Sequence, residues 1–288
     1  VLINRGIADV ASARSFLQPQ IGALGDPSLL PGIEKASIRI NEAVSRGEKI
    51  VIYGDYDVDG LSATALMYRC LKLVGAQVSY YIPERLEEGY GLNADAIKKL
   101  RGAGADVILT VDCGINACRE ADIARMCGID LIITDHHRPG QEIPNAFAVV
   151  NPKLHASHHV FRDLSGVGIA FKLAWAIGQH LSPQKKVSPE FKDFLLSAVG
   201  LVALGTIADV VPLLGENRII TKYGLSALQY TEIPGLRALL DGADISHINL
   251  DASHVGYRLG PRLNAPGRMG KAGIVVELLT TTCKKRAV

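Results

Sequence analysis

Five short runs of apolar and β-branched residues, at 49–53, 77–82, 106–111, 130–134 and 146–150, constrain this chain more than any other feature. Each has the length of a strand and little polar alternation, so both of its faces must be covered. Between the first four lie stretches with apolar residues at helical spacing, 60–74, 93–101 and 115–127. Strands buried on both faces and alternating with helices imply a parallel sheet joined by right-handed crossovers. The expected fold class is therefore α/β, a parallel β-sheet with flanking helices. It is preceded by a helical lead-in that includes a helix at 33–46, stopped by Gly47.

After Pro152 the alternation ceases. Helical patterns at 165–181, 189–204 and 216–228 follow, punctuated by Pro183, Pro189 and Pro212. The expected organisation is a sheet domain with its lead-in over 1–152 and a mainly helical segment over 153–288. Composition permits this: of 288 residues, 48% are hydrophobic and 21% charged, which excludes disorder and coiled coil as global descriptions. A formal net charge of +2 decides little about a nucleic-acid partner. No run reaches the ~18 to 20 uninterrupted apolar residues of a membrane span, and no charged-then-apolar leader opens the chain, so no membrane partner is expected. Cys70, Cys113, Cys118, Cys127 and Cys283 are odd in number and form no CxxC pair. They read as small buried hydrophobes in a reducing, cytoplasmic setting. The start at Val1 and the uncapped end at Val288 suggest a piece of a longer protein.

Acidic residues and histidines follow the apolar runs directly. Asp55, Asp57 and Asp59 follow the first, Asp112 the third, and Asp135, His136 and His137 the fourth. Ligands of open α/β sheets bind outside the carboxyl ends of the strands, so three loops deliver these groups to one rim. Carboxylates crowded there repel one another unless a cation neutralises them. Oxygen donors with imidazole and no thiolate favour Mn²⁺ or Mg²⁺, and the donors suffice for two ions. A calcium loop fails because Leu66 stands where that motif needs a Glu. A solvated turn remains the plain alternative for the Asp triplet, and core or capping histidines for His136 and His137. Asp209, in Gly205-Thr206-Ile207-Ala208-Asp209, is a lone carboxylate in an apolar stretch and requires a partner. Arg85 follows the second run and reaches the same rim. Arg258, Arg262 and Arg268 occupy what reads as a Gly/Pro-rich loop with Asn264, suited either to phosphate or to surface salt bridges. His155, His158 and His159 read as surface loop.

Tyr53 to Gly60, Val111-Asp112-Cys113-Gly114, the literal Asp135-His136-His137 and Gly205 to Asp209 together resemble the four ordered motifs of the DHH phosphoesterase superfamily. Within it the chain resembles the RecJ family of single-strand-specific DNA exonucleases, from Arg5-Gly6 to the Gly260 to Met269 stretch. The resemblance implies a metal-dependent 5′ to 3′ exonuclease on single-stranded DNA that releases 5′-mononucleotides in DNA repair and recombination. It implies two ions, with Asp57 on one, Asp59, His136 and Asp209 on the other, Asp112 bridging, and Asp55 nearby or an added ligand. Asp112, His136 and His137 would be the catalytic residues, with His137 on the scissile phosphate or leaving group and Asp135 orienting a histidine. Arg85, Arg262, Asn264 and Arg268, together with His137, would bind substrate phosphates. A helicase or single-strand-binding protein is the implied protein partner, and a monomer is expected. The family continues into a DHHA1 domain and an OB-fold, so the present chain is expected to bind metal but degrade DNA weakly. The alternatives are a DHH hydrolase of oligoribonucleotides, cyclic dinucleotides or pyrophosphate, and a non-catalytic replication scaffold of the Cdc45 kind. A dinucleotide-binding domain is excluded, because the first βα turn offers carboxylates in place of a glycine cradle.

Overall fold

The computed structural model describes residues 2–84, 89–154 and 159–287. Its centre is a parallel sheet of β1 (Lys49–Gly54), β2 (Gln77–Tyr81), β3 (Val107–Val111), β4 (Asp130–Thr134) and β5 (Ala148–Val150), in the order β2-β1-β3-β4-β5. The chain runs outward from β1 to β2 and then returns across β1 to β3, so the direction of winding reverses between β1 and β3. A crevice opens at the carboxyl ends of strands at such a reversal. Register then lines up the strand ends: Gly54 pairs with Val111, Val111 with Thr134, and Thr134 with Val150. Asp55, Asp112, Asp135 and Asn151, each the next residue, therefore leave the sheet in one row.

The period of two along the strands builds two cores. On one face Ile50, Ile52, Leu109 and Ile132 join the Ile33–Arg46, Val58–Leu73, Gly166–His180 and Pro189–Ala208 helices. On the other, Val51, Tyr53, Ile108 and Ile133 pack on Ala96, Ile97 and Leu100 of the Ala94–Gly102 helix and on Ala121 and Ala124 of the Cys118–Met126 helix. The first core runs without a break from the lead-in through the helices beyond residue 152. The Pro189–Ala208 helix is long and apolar enough to cross a membrane, with mean hydropathy 1.6, but 67% of that window is buried in this fold. At the amino-terminal edge, Gly47 (φ 67°) and Gly128 (φ 70°) adopt the left-handed conformation that ends a helix and starts the next strand.

Two expectations need correction. The stretch from Arg258 to Arg268 is not a loop: a π-helical turn Val255–Leu259 runs into a helix, Gly260–Arg268. Val255, Leu259 and Leu263, four residues apart and all buried, anchor one helical face to the core. Pro261 falls in the first turn, where a missing N–H costs nothing. Gly267 serves close packing, since a Cβ there would lie 2.7 Å from the Tyr56 carbonyl oxygen. Among the cysteines only Cys70 and Cys113 are buried; Cys118 and Cys127 are half-buried and Cys283 is exposed. His155 and His158 lie outside the described residues, and His159 Nε2 is 3.0 Å from the Leu29 carbonyl oxygen.

The lead-in is clamped by a buried ion pair. Lys172 Nζ lies 2.7 Å from Glu216 Oε2 and donates to the Gly25 carbonyl at 2.7 Å, while the Gly25 N–H donates to Glu216 Oε1 at 2.6 Å. Removing one partner strands a buried charge, so Lys172→Ala is expected to cost about 3 to 5 kcal/mol in urea unfolding. The double change Lys172→Met with Glu216→Leu should cost clearly less; equal losses would show that the pair does not act as a unit.

Candidate metal centre

Strand ends and helix termini together deliver the acidic groups. Asp55 follows β1 and is buried, with Oδ1 accepting from the Tyr56 N–H at 2.8 Å. Asp57 is the N-cap of the Val58–Leu73 helix, its Oδ1 accepting from the Gly60 N–H at 3.0 Å. Asp59, in the first turn of that helix, is buried and accepts from the Gly166 N–H at 2.6 Å and the Val167 N–H at 2.9 Å. Asp112 leaves β3 with φ 64°, and its N–H donates to the Thr134 carbonyl at 3.0 Å. Asp209 caps the carboxyl end of the Pro189–Ala208 helix, where the helix dipole disfavours a carboxylate.

These groups converge. Asp55, Asp57 and Asp112 place oxygens within 4.8 Å of one another, as do ligand atoms of Asp59, His136 and Asp209, and of Asp112, His136 and His137. Asp112 and His136 each belong to two of the three groups. His136 Nε2 lies 3.2 Å from Asp112 Oδ1, 3.6 Å from Asp209 Oδ2 and 3.9 Å from Asp59 Oδ2.

Burial raises the carboxyl groups. Asp55 is pushed up to about 7 by desolvation and then by the charge of Asp57. Asp209 is pushed up to about 6 for the same two reasons. Asp59 and Asp112 are held well above the carboxylate range by burial and then by neighbouring charge, Asp209 acting on Asp59 and Asp59 on Asp112. Burial, then the neighbouring His137, brings His136 down to about 4, so its imidazole is neutral at pH 7.

The donor set fits divalent cations. Asp112 Oδ1 and His136 Nε2 are fully buried, yet neither makes a hydrogen bond among the described residues. Buried polar atoms are normally satisfied, and an ion accepting both lone pairs would satisfy these. Carboxylate oxygens with neutral imidazole suit Mn²⁺ or Mg²⁺, and no thiolate enters any of the groups.

His137 is held differently. Asp135 Oδ1 accepts from the His137 N–H at 3.0 Å and lies 2.8 Å from Nδ1, while Oδ2 accepts from the Ile115 N–H at 2.9 Å. Burial works against the Asp135 charge, but these bonds outweigh it and keep the carboxyl below its usual range. An ionised Asp135 only accepts, so Nδ1 of His137 is the donor; Nε2 lies 3.5 Å from the Tyr90 hydroxyl. The Asp135 hydrogen bond raises His137.

The phosphate candidates are dispersed. Asn264 Oδ1 accepts from the Val58 N–H at 3.1 Å, at the base of the Asp57 turn. Arg268 and Asn264 line a cleft of about 260 Å³ with Ala208, next to Asp209. Arg262 is exposed, and its Nη1 donates to the Arg258 carbonyl at 2.7 Å. Arg85 lies outside the described residues.

Two neighbours escaped the sequence reading. Tyr90, 56% exposed between Gly89 and Gly91, holds its hydroxyl 3.4 Å from His137 Nδ1 and its ring edge-on to Tyr56. Asn151 Nδ2 donates to the His137 carbonyl at 2.9 Å. The rule that picked out Asp55 and Asp112, the residue just past a strand, also points to Asn151.

A family model described as "DHH family, N-terminal domain" matches residues 49–199. The chain belongs to the DHH family. Among DHH relatives, it is 44% identical over 281 residues to the single-stranded-DNA-specific exonuclease RecJ of Bacillus subtilis, covering 97% of this chain and 34% of that protein. A crystal structure of exonuclease RecJ bound to manganese superposes with TM-score 0.82 at 36% identity, covering 93% of this chain and 64% of that one. RecJ of Thermus thermophilus in complex with Mg²⁺ gives TM-score 0.70 at 30% identity, covering 99% of this chain and 36% of that one. The chain thus spans about a third of the curated Bacillus relative's length.

The raised carboxyl groups fix a pH dependence. Between the unfolded value of 3.8 and about 7 for Asp55, or about 6 for Asp209, each carboxyl binds more proton folded than unfolded. His136, lowered from 6.5 to about 4, opposes them below pH 6.5, but with Asp59 and Asp112 also raised the carboxyls outweigh it. Stability of the metal-free protein therefore falls as pH rises through this window. Melting in chelator should drop by roughly 5 °C or more from pH 5 to pH 8, and millimolar Mn²⁺ should reverse the drop at pH 8. A flat profile, or no response to Mn²⁺, would contradict the electrostatic account.

Proposed function

We propose that this chain is the metal-bearing part of a 5′ to 3′ exonuclease that releases 5′-mononucleotides from single-stranded DNA in repair and recombination. The observation that carries the reading is Asp112, a buried carboxylate shared between two donor groups with an oxygen that no described residue satisfies. The names of the relatives, and the manganese and magnesium bound in the RecJ structures, support it.

In this reading Asp57 and Asp55 with Asp112 hold one divalent ion, Mn²⁺ or Mg²⁺, and Asp59, His136 and Asp209 with Asp112 hold a second. The ions supply Lewis acidity toward phosphoryl oxygen and lower the pKa of water. The protein's own part is to keep these donors converged, to keep His136 neutral, and to place His137 with its proton. Fixed through Nδ1 by Asp135, His137 presents Nε2 to the scissile phosphate or to the departing 3′ oxygen. Asn264, Arg268, Arg262 and Arg85 bind backbone phosphates, and the exposed face of Tyr90 offers a surface for a sugar or base. A cytoplasmic setting accords with five free thiols. A monomer recruited by a helicase or a single-strand-binding protein completes the reading.

The test is a substrate panel with Mn²⁺ or Mg²⁺: end-labelled single- and double-stranded DNA, oligoribonucleotides, cyclic dinucleotides and pyrophosphate. Mononucleotides should come from the 5′ end of single-stranded DNA, more slowly than from a form extended to the length of the relatives. Asp112→Ala should lower the rate about 10³-fold or more, several kcal/mol at tenfold per ~1.4 kcal/mol. Preference for another substrate would replace the exonuclease reading.

Asp135→Asn removes the charge that raises His137. The alkaline limb of the kcat profile should move to lower pH, with little change in KM. An unmoved limb would remove His137 from proton transfer.

A further inference from the structure

The first turn of the Gly166–His180 helix lies against the centre without contributing a ligand. Its Gly166 and Val167 N–H groups donate to both oxygens of Asp59, at 2.6 and 2.9 Å. Ser165 is the N-cap, its Oγ accepting from the Gly168 N–H at 3.3 Å, and that same Oγ lies 3.0 Å from Thr206 Oγ1. Both hydroxyls are wholly buried. Thr206 stands one turn before Asp209 on the helix that Asp209 caps. A chain of contacts therefore links the two acidic members of one donor group, from Asp59 through the 165–167 turn to Thr206 and along the helix to Asp209.

Two glycines let this arrangement close. A Cβ on Gly166 would lie 2.3 Å from Asp112 Oδ1, and one on Gly205 would lie 2.6 Å from Asp59 Oδ1. The backbone of both helices thus presses directly on the carboxylates. Asp55 and Asp57 are held by their own turn at Tyr56 and Gly60 and make no hydrogen bond to Ser165 or Thr206 among the described residues.

We propose that Ser165 and Thr206 are positioning residues for the cation held by Asp59, His136 and Asp209, fixing the spacing of its two carboxylates, and that they leave Asp55 and Asp57, the ligands particular to the other cation, unaffected. The proposal rests on reading the centre as a divalent-cation site. Groups that orient metal ligands from behind typically change affinity about 10- to 100-fold when removed. Hydroxyl loss at either end of the pair should therefore weaken one ion and spare the other.

The experiment is Mn²⁺ titration calorimetry of the 288-residue chain and of Ser165→Ala, Thr206→Val and Ser165→Thr, with circular dichroism to establish folding. Two binding phases are expected for the unaltered chain. Ser165→Ala and Thr206→Val should each weaken one phase about 10- to 100-fold and leave the other in place, and Ser165→Thr, which keeps a hydroxyl, should restore it. Thr206→Val preserves side-chain shape and reads the interaction should Ser165→Ala unfold. Two unaltered phases in the folded variants, or equal weakening of both, would overturn the proposal while leaving the metal centre standing. No Mn²⁺ binding by the unaltered chain would overturn the centre itself, and this proposal with it.

Discussion

Repulsion among buried carboxylates governs this molecule. Asp55, Asp59 and Asp112 are almost entirely removed from water, and Asp57 and Asp209 press on them from the two helix ends. A fold that served only its own stability would not gather these groups, since each loses hydration and gains a like-charged neighbour. The surrounding structure answers with directed N–H donors for Asp55, Asp57 and Asp59, with the positive end of a helix behind Asp59, and with a neutral imidazole between three of the carboxylates. Asp112 Oδ1 receives none of these hydrogen bonds. The part of the charge left uncompensated by protein is concentrated where two donor groups meet.

Backbone strain falls on the same residue, and on Val210 (φ 60°) beside Asp209. Asp112 adopts φ 64°, a left-handed conformation that costs a residue with a side chain about 1 kcal/mol or more. It is held there by its N–H on the Thr134 carbonyl and by Thr110 Oγ1, which donates to the Cys113 carbonyl at 2.8 Å. The turn aims the carboxylate across the crevice toward His136 instead of letting it continue in line with β3. Strain, desolvation and an unfilled acceptor on one residue describe a group prepared for a ligand.

Much of this was legible in the residues. Uniformly apolar runs gave the strands, and β4 has the limits that its pattern predicts. The position of an acidic residue just past a strand gave Asp55, Asp112 and Asp135, because register in a parallel sheet aligns strand ends whatever the connections do. The Arg258 to Arg268 stretch was misread because Gly and Pro counted as loop formers there. The helical spacing of the buried Val255, Leu259 and Leu263 was the stronger signal. The contact between Ser165 and Thr206 left no trace, though both residues lie in stretches that the pattern picks out. A hydroxyl in an apolar helix is an ordinary sight, and only the approach of two segments 41 residues apart makes it a contact.

The opposite edge of the sheet tells a complementary story. Short glycine turns at Gly47 and Gly128 hand each helix over to a strand on the side away from the carboxylates. Lengthening those turns would enlarge a surface connection without shifting where any acidic side chain emerges, whereas one residue added past Gly54 or Val111 would swing an aspartate to the wrong face. The architecture therefore keeps apart the border where sequence length is free to drift from the border where it is fixed residue by residue, and grafted segments or neighbouring modules would find their natural entry on the former.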